Sequence, residues 1–179
     1  AGRNATFQGV APQADVIGIQ VFFRIDDFET CFLQMFASAC VSATYADILR
    51  SLEYVYTDLV PAHEIAAVNM SLGGDQYFDQ ATCDAELAGI KTVIDQLLAA
   101  DVATVIASGN NGWTDSISGP GCVSSAVTVG ATDDLDNVTS FSNMHGMVDL
   151  LAPGATIESA IPDGGYTSFD GTSMAAPHV

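Results

Sequence analysis

Val102-Ala103-Thr104-Val105-Ile106-Ala107-Ser108-Gly109-Asn110-Asn111-Gly112 is the stretch on which the fold turns. Its first six residues are apolar or β-branched with no polar alternation, the pattern of a strand buried on both faces, as in parallel sheets. The strand runs straight into a polar, glycine-rich turn. In open α/β sheets the carboxyl ends of the strands are where ligands bind. Upstream, residues 86–100 place Leu87, Ile90, Val93, Ile94, Leu97 and Leu98 at helical spacing. Before that helix, a buried strand is predicted over 65–72, ending in Gly73-Gly74, then a polar loop over 75–84. A further helix is predicted over 46–59, from Ile48, Leu49, Leu52, Val55 and Tyr56. The nearly unbroken apolar run over 15–22, after a turn at Gly9-Val10-Ala11-Pro12, predicts another buried strand. Downstream, strands are predicted over 126–131 and 157–161, with a short apolar stretch over 149–154 between them.

Strands alternating with helices of 12 to 15 residues indicate βαβ units. The expected fold class is α/β, a three-layer sandwich on a mainly parallel sheet. The chain has 179 residues and is 49% apolar, enough for one domain with a substantial core. No internal repeat or linker divides it. No apolar run reaches the length of a membrane span. Four Lys and Arg against 22 Asp and Glu give a formal charge of −18. Phosphate backbones are repelled by such a chain, so nucleic acid is not an expected partner. The charge is read as a solvated acidic surface, and it also suits a secreted protein in saline surroundings. Both ends, Ala1-Gly2-Arg3-Asn4 and the helix broken at Val179, read as cut from a longer chain.

Cys31, Cys40, Cys83 and Cys122 permit three disulfide pairings, with Cys31 and Cys40 near enough to close a short loop. No spacing suggests zinc. An even count favours disulfides and an oxidising compartment, with free buried thiols as the alternative.

The chemistry gathers at Gly171-Thr172-Ser173-Met174-Ala175-Ala176-Pro177-His178-Val179. Thr172 or Ser173 is expected to cap a helix running through Met174, Ala175 and Ala176. A serine at a helix start stands beside unpaired N–H groups and the positive end of the helix dipole. There is no dinucleotide GxGxxG, no phosphate-binding GxxxxGK[ST] and no GxSxG elbow. What remains is Ser173, an Asn in one glycine-rich strand end, and a second strand end with paired glycines.

Together these features resemble the subtilisin-like serine proteases, the subtilase family. The resemblance rests on Gly9-Val10-Ala11-Pro12, Asn69-Met70-Ser71-Leu72-Gly73-Gly74, Ala107-Ser108-Gly109-Asn110-Asn111-Gly112, Val129-Gly130-Ala131, Leu151-Ala152-Pro153-Gly154 and the stretch from Gly171 to the end, in family order along the chain. It implies that Ser173 is the nucleophile. It implies that the Asn110 amide and the Ser173 N–H hold the oxyanion; losing one such donor in this family costs about 10²–10³ in kcat. Ser71, Leu72 and Gly73 would pair with the extended substrate and form one wall of the specificity pocket. Ala107, Ser108 and Gly109 would form the other. The partner implied is a polypeptide substrate, with neither nucleic acid nor membrane. The family also implies Cys31–Cys40 and Cys83–Cys122 as the disulfide pairs, and a secreted, extracellular location. No cofactor is required; structural calcium is an option, with Asp149 and carbonyls near Gly121 as the matching place and a surface or capping role for Asp149 as the alternative.

One departure matters. Family members carry an aspartate and a histidine before the position matching Ala1, and neither lies in this chain. His63, His145 and His178 offer no replacement base: His178 shares the serine's helix, His63 follows Pro61 in a loop, and His145 sits in a polar turn. Serine without a general base is a poor nucleophile. The expectation is therefore a partial subtilisin-like peptidase domain over 1–179, inactive alone, whose missing N-terminal part would be a partner. The alternative is a non-catalytic peptide- or partner-binding module on the same fold. The small residues of the pocket walls would admit a sizeable apolar side chain. The sequons at Asn4, Asn69 and Asn137 complete the motifs, with Asn69 expected on a buried strand.

Overall fold

The computed structural model describes residues 9–27, 31, 39–161 and 164–179. The sequon at Asn4 and most of the loop between Asp26 and Ala39 lie outside them. At the centre is a four-stranded sheet of Ala67–Met70 (β3), Ala103–Ala107 (β5), Val127–Thr132 (β7) and Leu150–Pro153 (β8), in the order β3-β5-β7-β8, with every pair parallel. Among the described residues there are also three two-stranded antiparallel pairs. Phe23–Ile25 (β1) pairs with Cys40–Ser42 (β2), and Gln76–Tyr77 (β4) with Ile117–Ser118 (β6). Ile157–Ala160 (β9) pairs with Tyr166–Phe169 (β10).

The central strand shows why layers form on both sides. Along β5, Val105 and Ala107 point to one face and Ile106 to the other, as a period of two demands. On the Ile106 side lie the helices Tyr45–Tyr54 (α1) and Ala88–Ala99 (α3). Their Ile48, Leu52, Ile90, Val93, Ile94 and Leu97 build the larger core there. On the Val105 side the short helix Thr172–Ala175 (α4) lays Ala175 and Ala176 against Val129, Ala131 and Ala152. Small side chains on that face bring the α4 backbone close to the sheet. The molecule is thus a three-layer α/β sandwich.

Side-chain caps mark the starts of two helices. Thr44 caps α1, its Oγ1 accepting from the Asp47 N–H at 3.1 Å and donating to Asp47 Oδ2 at 2.7 Å. The helix continues as a π-helical turn over Val55–Leu59, so the predicted span of 46–59 is filled by two helical forms. The predicted polar loop over 75–84 holds β4 and the start of a helix, Gln80–Glu86 (α2), capped by Asp79. Cys83 of α2 is bonded to Cys122, and Cys31 to Cys40.

Two strand expectations are corrected. Residues 15–22 join no sheet among the described residues, and Val16, Ile17 and Ile19 are exposed. An apolar run supplies the side chains of a buried strand but not the neighbours, and no described strand lies beside it. Likewise β3 is not buried on both faces: Ala67 and Asn69 are exposed and only Met70 is fully covered. Among the described residues β3 is an edge strand, with a partner on one side alone. The second strand of the β9–β10 pair went unforeseen in the sequence, because Tyr166-Thr167-Ser168-Phe169 carries no clear apolar face.

Candidate active site

Ser173 lies in the first turn of α4, partly exposed at the carboxyl end of the sheet. Gly171 occupies the N-cap position, and no side chain of the helix caps it. The expected capping by Thr172 or Ser173 is therefore corrected: both are already helical. The cap arrives from another strand end. Asn110 Oδ1 accepts the Thr172 N–H at 2.8 Å and the Thr172 hydroxyl at 2.9 Å, across 62 residues of sequence. Thr172 Oγ1 in turn accepts the Gly109 N–H at 3.2 Å. Thr172 is fully buried, so these bonds replace water rather than compete with it.

This arrangement fixes which way the Asn110 amide faces. With Oδ1 committed to Thr172, Nδ2 is the amide atom left over. The position that a Cβ on Gly171 would take lies 3.5 Å from Asn110 Nδ2 and 3.6 Å from the Ser173 nitrogen. Two N–H donors thus flank one small space, and neither has an acceptor among the described residues. The Ser173 N–H is one of the unpaired donors that every helix start exposes.

The β3 strand end completes the front of the site. Ser71 Oγ donates to the Ser173 carbonyl at 2.7 Å and accepts from Asn69 Nδ2 at 3.0 Å. The backbone groups of Leu72 and Gly73 have no partner among the described residues. Gly74 donates to the Gly119 carbonyl at 2.8 Å, turning the chain toward β6. On the far side Ala107, Ser108 and Gly109 are all buried, with Ser108 Oγ donating to the Asn143 carbonyl at 3.0 Å. Between the two glycine-bearing ends stands Ser118. A Cβ on Gly73 would meet Ser118 Cβ at 3.0 Å, and one on Gly109 would meet Ser118 Oγ at 2.3 Å. Gly109 has φ +106°, which glycine alone adopts readily, so close packing and backbone both require it. Sequence reading named Ser173, Asn110 and both glycine ends, and the structure brings them to one end of the sheet. Sequence reading missed Ser118 and Asn143, which nothing in the local pattern sets apart from ordinary loop residues.

No histidine is hydrogen-bonded to Ser173. His178 Nδ1 is 2.8 Å from the Met174 carbonyl, one turn back on its own chain. His63 is exposed beyond the π-helical turn, and the buried Nδ1 of His145 has no partner. Beside the β3 end, burial pushes the Tyr45 phenol above its ordinary range, with the Asp75 charge adding to it. At the place where structural calcium was an option, two oxygens accept hydrogen bonds from Thr128. Asp149 Oδ2 accepts the Thr128 N–H at 2.8 Å, and the Gly121 carbonyl accepts the Thr128 hydroxyl. Among the described residues no three His, Cys, Asp or Glu side chains gather as a metal site. No helix among them is long and apolar enough to cross a membrane.

Comparison with known proteins gives a consistent picture. A family model described as the subtilase family matches residues 1–179. Alkaline elastase YaB of Bacillus sp. (strain YaB) is 32% identical over 171 residues, covering 96% of this chain and 37% of that protein. An intracellular serine protease of Paenibacillus polymyxa is 30% identical over 175 residues, covering 96% of this chain and 45% of that one. The crystal structure of a cold adapted subtilisin-like serine proteinase superposes with a TM-score of 0.61 at 35% identity, covering 76% of this chain and 45% of that one. The chain spans less than half the length of these relatives.

Proposed function

The chain belongs to the subtilase family, and from that premise we propose that it carries the nucleophile, oxyanion site and substrate cleft of a secreted serine endopeptidase. Ser173 Oγ attacks the scissile carbonyl carbon and forms the acyl-enzyme. Its proton passes to a base outside these 179 residues and then to the leaving amine as the C–N bond breaks. Water hydrolyses the ester by the same route in reverse. The carbonyl oxygen, as it gains charge, sits in the space flanked by the Ser173 N–H and Asn110 Nδ2. Donors fixed in advance around developing charge supply much of the rate enhancement in many such reactions, because they need no reorganisation when the charge appears.

The observation that carries this reading is the hold of Thr172 on Asn110 Oδ1, with Asn110 Nδ2 and the Ser173 nitrogen both near the point where a Gly171 Cβ would stand. The unpartnered backbone of Leu72 and Gly73 supports a peptide substrate lying alongside as an added strand. Ser118, between the two glycines, closes the floor of the side-chain pocket in this reading. The two disulfides support an oxidising, extracellular setting.

The base is assigned outside the chain because none of its three histidines is bonded to Ser173. The 179-residue chain alone is then expected not to turn over peptides. The full-length product is expected to react with a serine-directed fluorophosphonate and to lose that reaction in Ser173→Ala. Asn110→Ala in the full-length product is expected to lower kcat about 10²–10³-fold. Failure of the full-length product to label would sink the proposal and favour a peptide-binding module on the same fold.

A further inference from the structure

We infer that Asn143 is the positioning residue of the oxyanion site: one buried amide that sets the loop from which Asn110 projects. The inference rests on the reading of Ser173 and Asn110 given above. Asn143 sits between β7 and β8, its side chain fully buried. Its Oδ1 accepts two backbone N–H groups, from Asn111 at 2.9 Å and from Trp113 at 3.1 Å. Its Nδ2 donates to the Ser108 carbonyl at 3.1 Å and reaches Asn111 Oδ1 at 3.3 Å and Ser118 Oγ at 3.4 Å. Its backbone adds two more links: the N–H donates to the Gly109 carbonyl at 2.9 Å, and the carbonyl accepts from Ser108 Oγ at 3.0 Å.

The loop is therefore pinned at 108, 109, 111 and 113, that is, on both sides of Asn110 and not at Asn110 itself. Asn110 is held instead from the opposite direction, by Thr172. The two anchors meet at Gly109, whose N–H the Thr172 hydroxyl also accepts and to whose carbonyl the Asn143 N–H donates. Asn143 sets where the Asn110 backbone stands, and Thr172 sets which way its amide turns. An oxyanion donor has to lie about 2.7–3.1 Å from the charged oxygen, and an error of 1 Å costs about 10²-fold in rate. Both halves of the Asn143 amide are used in opposite senses, acceptor toward Asn111 and Trp113, donor toward Ser108. A side chain with only one of these functions leaves half the loop free. The same Nδ2 lies 2.3 Å from where a Cβ on Gly109 would stand, so the amide packs directly beneath the pocket wall.

The test uses the full-length product, with kcat expressed per active site titrated by fluorophosphonate, so that any misfolded fraction drops out. Asn143→Ala is expected to lower kcat about 10- to 100-fold while KM changes less than about threefold. Asn143→Ser, smaller but still polar, is expected to fall between it and the parent, and stands in for it if Asn143→Ala accumulates poorly. The decisive measurement is the double variant. In an Asn110→Ala background, Asn143→Ala is expected to change kcat by less than about threefold, because the donor it positions is gone. Multiplicative losses in the double variant, or an unchanged kcat in Asn143→Ala, would overturn the inference. Fluorophosphonate labelling that survives Ser173→Ala would instead overturn the functional reading beneath it.

Discussion

The site is assembled from single residues that are each small and ordinary. Thr172 is one whose role its type conceals. It resembles a capping threonine, yet its hydroxyl joins Gly109 to Asn110. Thr172→Val keeps the shape and removes both bonds, leaving the buried Gly109 N–H unpaired. A buried donor left without a partner costs about 1–3 kcal/mol, so urea unfolding of the full-length product is expected to show a loss of that size for Thr172→Val and a smaller one for Thr172→Ser. Equal stability of the valine variant would mean that the hydroxyl carries no net weight. Ser173 and Asn110 were named in the sequence through the resemblance to a known family, beside Gly171 and Gly109, which mark tight backbone. Asn143 and Ser118 were not, because the side-chain bonds that place them reach across 25 to 35 residues and local pattern holds no trace of such pairings.

Elements obey the same division between what a segment dictates and what its surroundings supply. Helices α1 and α3 were readable from periodicity, since an apolar stripe specifies its own burial. Strand β5 was readable because it lies between two partners. Residues 15–22 and β3 were misread, since an apolar run does not reveal whether a neighbour is present on each side. Helix α2 escaped notice because it is short, yet its start is sharply made. Asp79 Oδ1 accepts the Thr82 N–H at 2.8 Å, and Oδ2 accepts the Thr82 hydroxyl at 2.9 Å. The backbone bond from Thr82, then the hydroxyl, hold the Asp79 carboxyl below its ordinary range. Because the folded value is the lower one, the cap's contribution is complete above the unfolded value, about pH 4, and is lost as pH falls through the folded value. The urea midpoint is expected to decline with acid below about pH 4, and less steeply in Asp79→Asn. An identical acid slope in that variant would remove the cap from the account.

At the scale of the whole molecule, the layered fold followed from the order of strands and helices, while the covalent ties bear on its stability. The Cys83–Cys122 bond spans 39 residues and Cys31–Cys40 spans nine. Loop-closure entropy assigns about 4 kcal/mol to the longer and about 2.5 kcal/mol to the shorter. Paired serine substitutions in the full-length product are expected to lose stability in that order, and a reversal would place the main effect in the folded state rather than the unfolded one. The long tie also joins α2 to the segment leading into β7, on the flank of the site. The site itself closes over still greater separations: 35 residues from Ser108 to Asn143, 62 from Asn110 to Thr172, 102 from Ser71 to Ser173. Those distances have a meaning in time. On a ribosome adding about 5–20 residues each second, the Asn110 turn emerges roughly 3–12 s before Thr172 can hold it. A nascent chain can therefore have its parallel strands in place well before Thr172 reaches Asn110, so that the two glycine-rich strand ends wait for their tie to the helix.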